Sequence, residues 1–181
     1  MKTYSTKIDL KIIDEALIHS KKRMDYEYDR FKLPFETRLN MILIGTIGQL
    51  IFSKFLVANN INHKFEYQAG KYDSFDFKIQ NKIFEIKTSG YDISYKNLNL
   101  LYSKDQYKTG RKKNFYCCIQ IFINGYDKKN KKINLKSCNS ASIVGGILYK
   151  EIENYKNIKR FYGDDYKVPI SKLLDVKDFL Y

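Results

Sequence analysis

The chain has 181 residues, 44% of them apolar and 15% aromatic, which is enough for one domain with a real core and excludes a disordered polymer. Its net charge of +13 points to a polyanionic partner such as nucleic acid, although Lys, Asn, Ile, Tyr and Phe are also the residues that an AT-rich genome favours. Three cysteines, two of them adjacent at Cys117 and Cys118, provide neither a disulfide framework nor a metal knuckle and suit a reducing compartment.

The opening MKTYSTKIDLK has no apolar core of a signal peptide, so the expected location is intracellular. Residues 8–30 set Ile12, Ile13, Ala16 and Leu17 at helical spacing, which predicts a peripheral helix. Pro34 begins a second helix in which Leu39, Ile42, Leu43, Ile47, Leu50 and Phe55 recur three or four residues apart. Asn59, Asn60 and Asn62 close it. The apolar run 39–58 is about as long as a membrane span. Gln49 at its centre and Lys54 are costly in hydrocarbon, so the expectation is a buried helix and no membrane. Gly45 and Gly48 each weaken a helix by about 1 kcal/mol relative to Ala, which calls for a close backbone approach nearby.

After this helix the hydrophobic period changes to two. Strands are predicted at 64–67, 74–79, 82–89 and 115–123, with a turn at Gln80 and Asn81 and a short helical segment near 104–108. A lysine-rich loop spans 125–132. Further strands are expected at 133–135, 143–148 and 167–170, and short helices at 150–157 and 171–180. The order reads as a mixed sheet flanked by helices, an α/β or α+β domain without repeats or linkers.

One stretch, YDSFDFKIQNKIFEIKTSG, carries charges where a half-buried hairpin would hold them together. A two-residue turn at Gln80 and Asn81 pairs Ile79 with Lys82 and sets Asp76 opposite Glu85, with Lys87 on the same face. Phe75, Phe77, Phe84 and Ile86 then form an apolar face for the long helix. A turn shifted by one residue pairs Asp76 with Lys87 and keeps the grouping. Two nearby carboxylates repel unless a cation sits between them or one is protonated; a divalent cation is the natural third party, and oxygen ligands of high charge suit Mg²⁺ or Mn²⁺. Such an ion with a lysine beside it suits phosphodiester hydrolysis. The rival reading is a solvated hairpin face with a surface ion pair.

Asp76 followed by Glu85-Ile86-Lys87 resembles the active-site hairpin of the PD-(D/E)xK nucleases, the restriction-endonuclease-like superfamily that includes archaeal Holliday junction resolvases. The likeness covers about residues 39–123 and includes Phe77 after the aspartate, Thr88-Ser89 after the lysine, and a Gln106-Tyr107 pair. It implies a mixed sheet with core order α-β-β-β-α-β in one domain. Residues 1–32 would be peripheral, 33–123 the catalytic core, and 124–181 C-terminal strands and helices. The resemblance further implies Asp76, Glu85 and the Ile86 carbonyl as Mg²⁺ or Mn²⁺ ligands and Lys87 as the residue positioning water. The family's helix acid, which follows a glycine, is replaced here by Gln49 after Gly48, and Phe75 stands where a proline is usual. Glu36 and Asp73 are the alternative acids.

The acid-x-Lys pattern alone carries nothing, since it also begins at Asp9, Asp76, Asp127, Asp165 and Asp175; only the copy at Glu85 has the strand setting and a facing aspartate. Gln106 and Tyr107 are candidates for the site or for phosphate contact, against a solvated helix face. Arg111, Lys112 and Lys113, with the run 128–132, are candidates for a nucleic-acid backbone. Tyr91, Tyr95, Tyr102 and Tyr107 are candidates for base stacking. His19 and His63 are too isolated for a zinc site. The expected function is therefore a metal-dependent nuclease, most simply a DNA endonuclease and possible homodimer. The alternatives are a non-catalytic nucleic-acid-binding protein on the same fold and a viral-type RNA endonuclease, the latter commonly using a histidine ligand.

Overall fold

Asp9 starts the first helix, α1 (Leu10–Met24), its Oδ1 accepting the Ile12 N–H at 3.0 Å. The second, α2 (Phe35–Ala58), follows Pro34, whose φ of −53° is compatible with a helix start. Asn59 closes it by donating its side-chain amide to the Phe55 carbonyl at 2.8 Å, and Asn60 turns left-handed at φ 56°. Arg38 of α2 donates to the Met24 carbonyl at 2.7 Å, so the second helix caps the end of the first. The computed structural model that shows this describes residues 2–24, 33–65, 75–108, 115–160 and 163–181.

Strand β1 (Tyr4–Lys7) precedes the helices; β2 (Lys64–Phe65), β3 (Phe77–Ile79), β4 (Lys82–Gly90) and β5 (Asn99–Ser103) follow them. Then come α3 (Lys104–Lys108), β6 (Phe115–Ile123), the short pair β7 (Tyr126–Asp127) and β8 (Lys132–Ile133), and β9 (Ser140–Leu148). Strands β10 (Asn157–Arg160) and β11 (Gly163–Pro169) complete the set. The main sheet runs β1-β9-β6-β4-β3-β2, with β4 and β6 parallel and its other pairs antiparallel. The result is a mixed α+β fold.

Alternation along the strands divides the interior in two. One face of the main sheet packs Phe77, Phe84, Ile86, Cys117, Ile119 and Ile121 against Ile47, Ile51 and Phe52 of α2. That burial accounts for the apolar run, although α2 is by length and composition alone able to cross a membrane. The other face, with Cys118, Phe122, Val144 and Ile147, is covered by a second sheet, β10-β11-β5, through Leu100, Tyr102, Tyr166 and Val168. Adjacent Cys117 and Cys118 thus lie on opposite faces, as strand geometry requires, and all three cysteines are free and buried.

Gly48 meets β4 closely: a Cβ there would fall 1.8 Å from Thr88 Oγ1. Gly45 has nothing within 4 Å of such an atom, so the expected close approach applies to Gly48 alone.

Several expectations are corrected. Strands β1 and β5 were not foreseen; β1 pairs with β9 as an edge of the main sheet, so the N-terminal segment is built into the sheet. From α2 the order is α2-β2-β3-β4-β5-α3-β6, an extra strand that joins the second sheet. The helix expected at 150–157 is a 3₁₀ turn, Tyr149–Asn154, that gives way to β10, and 171–180 holds two 3₁₀ turns, Ile170–Lys172 and Val176–Phe179. The strand at 133–135 ends at Ile133, because the Asn134 carbonyl accepts the N–H groups of Ser137 and Cys138 in a turn.

Candidate active site

The β3–β4 turn has Gln80 at φ 47° and Asn81 at φ 64°, the two left-handed positions of a type I′ hairpin. It pairs Ile79 with Lys82 and Phe77 with Phe84, the register expected from the first of the two turns considered. Phe84 and Ile86 therefore turn toward α2, and Glu85 and Lys87 toward the second sheet.

Glu85 is 2% exposed. Its Oε1 accepts from Lys87 Nζ at 2.6 Å, and its Oε2 accepts a short hydrogen bond from the Tyr102 hydroxyl. Lys87 Nζ also donates to Gln106 Oε1 at 3.2 Å and lies 4.6 Å from the centre of the Tyr102 ring. This pair is not the solvated surface contact of the rival reading, because the acid is enclosed.

Asp76 immediately precedes β3 and is 8% exposed. In a two-residue hairpin the N–H groups of Lys82, Phe84 and Ile86 face the partner strand in turn. Pairing stops at Phe77↔Phe84, and the Ile86 N–H donates to Asp76 Oδ2 at 2.7 Å. The carboxylate thus replaces the missing strand partner, and the Ile86 carbonyl leaves the same edge of β4. Asp76 Oδ1 accepts from Gln49 Nε2 at 3.0 Å, which brings α2 to the hairpin. Every oxygen of the two buried carboxylates has a donor, as a buried charge demands.

Burial, then the neighbouring Glu85 charge, hold the Tyr102 phenol far above its ordinary value, so it is a donor throughout the usual pH range. The same two causes in the same order keep Cys118 a neutral thiol. Gln49 Oε1 is buried without a hydrogen-bond partner, as is Oε1 of Gln120, which pairs with Lys87 across β4 and β6.

That orphaned amide oxygen tests whether the residues suit a cation. Asp76, Glu85, the Ile86 carbonyl and Gln49 offer oxygen donors only, the set that a hard divalent ion such as Mg²⁺ or Mn²⁺ takes. Gln49 Oε1, on the amide whose nitrogen donates to Asp76, is buried without a partner, the unmet need that an ion or its water would fill. Among the described residues no three His, Cys, Asp or Glu side chains gather into a metal site. Glu36, exposed in the first turn of α2, is about 20 Å along the helix from Gln49 and cannot join the group.

The structure therefore makes two groups that meet only along consecutive residues of β4: Gln49 and Asp76 on the Ile86 N–H, and Glu85, Lys87 and Gln106 with Tyr102. The expected pairing of Asp76 with Glu85 is not made, because the ladder ends at Phe77 and Phe84. Tyr107 points elsewhere: it stacks on Tyr149 at 4.7 Å and 27° and meets Tyr166 edge-on within the second core. Arg111, Lys112, Lys113 and Asp73 lie outside the described residues. His19 stands 3.9 Å from Glu15 on α1. His63 uses both ring nitrogens, on Ser53 Oγ and the Ile61 carbonyl, at 3.0 Å each. Tyr102, fully buried, has no face for a base to stack on; its place beside Glu85 was missed, and the alternation Leu100, Tyr102 in NLLYS was the available signal.

In comparisons with known proteins, no family model, curated protein or solved structure matches this chain.

Proposed function

We propose that this chain is a divalent-metal-dependent nuclease that hydrolyses phosphodiester bonds, with DNA the preferred substrate, on a restriction-endonuclease-like version of its mixed sheet. One observation carries the reading: Glu85 and Lys87 share a face of β4 at 2.6 Å, with Asp76 anchored to the intervening Ile86 N–H. Asp76, Glu85 and the Ile86 carbonyl would hold the ion, with Gln49 Oε1 as the neutral donor from α2. Bound there, Mg²⁺ or Mn²⁺ supplies Lewis-acid polarisation of a phosphate oxygen and lowers the pKa of water.

The chain's own residues do the rest. Lys87 brings an ammonium to the reacting centre, where it orients the attacking water and offsets charge developing on the phosphate. Gln106 and Glu85 keep that ammonium from swinging away. Ile86 and Phe84 anchor the strand in the apolar core, so the donors are held on rigid backbone. The excess of 33 Lys and Arg over 20 Asp and Glu favours a polyanion.

The test is cleavage of labelled single-stranded, duplex and branched DNA, and of RNA, with Mg²⁺ or Mn²⁺, using Lys87→Ala as control. Cleavage lost in the variant supports the reading and identifies the substrate class. Binding without cleavage would favour the non-catalytic nucleic-acid-binding protein, a reading that draws on Gln49 standing where an acid would strengthen the ion site.

A further inference from the structure

We propose that Tyr102 is the positioning residue of this centre, its hydroxyl fixing the Glu85 carboxylate while its ring face holds the Lys87 ammonium. The proposal rests on the reading of the hairpin as a divalent-cation site.

Tyr102 is fully buried on β5, in a different sheet from Glu85 and Lys87. A Phe would fill that volume without bringing a polar group into the core, and a buried phenol is tolerated where its hydroxyl has a partner. The partner here is Glu85 Oε2. With Oε1 on Lys87, both oxygens are pinned and the carboxyl group is held in one orientation. The ring is itself held edge-on between Tyr107, at 6.4 Å and 88°, and Tyr149, at 5.9 Å and 78°. Lys87 Nζ, 4.6 Å from the ring centre, gains a cation–π contact that an aliphatic side chain could not supply. One side chain thus restricts the carboxylate through its hydroxyl and the ammonium through its ring face, which reduces the ordering that ion binding requires.

Mn²⁺ calorimetry on the unsubstituted chain, Tyr102→Phe, Glu85→Gln and the double variant tests this, with thermal melts as the control for folding. The expected result is about ten- to hundred-fold weaker Mn²⁺ binding by Tyr102→Phe with a cooperative melt, and no further loss when Glu85→Gln is already present. A purely structural role would lower the melting temperature and leave the affinity of the folded protein unchanged. Tyr102→Phe binding Mn²⁺ like the parent overturns the assignment of Tyr102 alone; a parent chain that binds no Mn²⁺ overturns the cation site and the assignment with it. A readout on the unsubstituted chain covers a variant that fails to fold: an ion held by Glu85 changes the electrostatic surroundings of the phenol bonded to it without moving the ring, so saturating Mn²⁺ is expected to give a tyrosine ultraviolet difference spectrum. Calorimetric Mn²⁺ binding with no such spectrum overturns the proposal.

Discussion

Gln49 Nε2 lies 3.0 Å from Asp76 Oδ1, so the long helix and the hairpin meet through a neutral donor and a buried carboxylate. Were position 49 an acid, two carboxylates would stand there without a proton or cation to separate them.

Gln49→Glu is therefore expected to lower stability by about 1–3 kcal/mol in the absence of divalent ions, since it removes a donor and adds a like charge. Mg²⁺ should then raise the melting temperature of the variant more than that of the parent, because the added carboxylate is a stronger ligand. Melting curves with and without Mg²⁺ measure both effects. Equal Mg²⁺ responses would remove position 49 from the ion site.

Lys87→Ala is expected to reduce cleavage by at least about 100-fold. It also strips a charged donor from Glu85 Oε1, so a loss of about 1–3 kcal/mol in stability should accompany it. Lys87→Gln, which keeps an amide donor for Glu85, should recover part of the stability and none of the rate. Initial rates beside urea denaturation separate the two, and a fully active Lys87→Gln would exclude the ammonium from the chemistry.

Gly48→Ala should cost about 1–3 kcal/mol, because the new methyl meets Thr88 Oγ1 at 1.8 Å. Thr88→Ala in the same chain should recover part of it, since it removes an unpartnered hydroxyl and the closest clash but leaves its own Cβ 2.8 Å from the new methyl. Gly45→Ala, with nothing within 4 Å, should instead stabilise by up to about 1 kcal/mol. Denaturation midpoints of the three variants check the contrast; similar losses at both glycines would refute it.

Burial pushes the Cys138 thiol up to about 11 from an ordinary 9.0. The fold holds the neutral thiol, so this contribution is complete below pH 9.0 and is lost as pH rises toward about 11. Burial also raises Cys117 and Cys118, which act in the same direction. Cys138→Ala should flatten the alkaline fall of stability across that range. Urea midpoints measured along the pH series would show it, and an unchanged slope would mean that Cys138 does not contribute.

The hairpin was legible because its information is local. Turn residues at Gln80 and Asn81 and period-two alternation from Phe75 to Lys87 suffice to put Glu85 and Lys87 on one face, and the spacing from Leu39 to Phe55 suffices for α2. Tyr102 was not legible in its role: the alternation of Leu100 and Tyr102 announces a half-buried strand, but its place beside Glu85 depends on a second sheet built by pairing with Tyr166, 64 positions later. Residues 150–157 misled for a related reason. Lys150, Glu151 and Glu153 favour a helix, but the antiparallel partner at Gly163–Pro169 draws Asn157–Arg160 into a strand. The Gln49–Asp76 bond was half legible: the motif spacing singled out both residues, while the amide's orientation needed the fold.

The parting of β3 from β4 at Asp76 bears on how an inert form of this protein should be made. Asp76→Ala would leave the Ile86 N–H without its acceptor and loosen the fork at the centre of the domain, confusing damage to the scaffold with loss of chemistry. Asp76→Asn can still present an oxygen to that N–H while surrendering the negative charge. If the proposed nuclease reading holds, it is the better trap for capturing an uncut substrate.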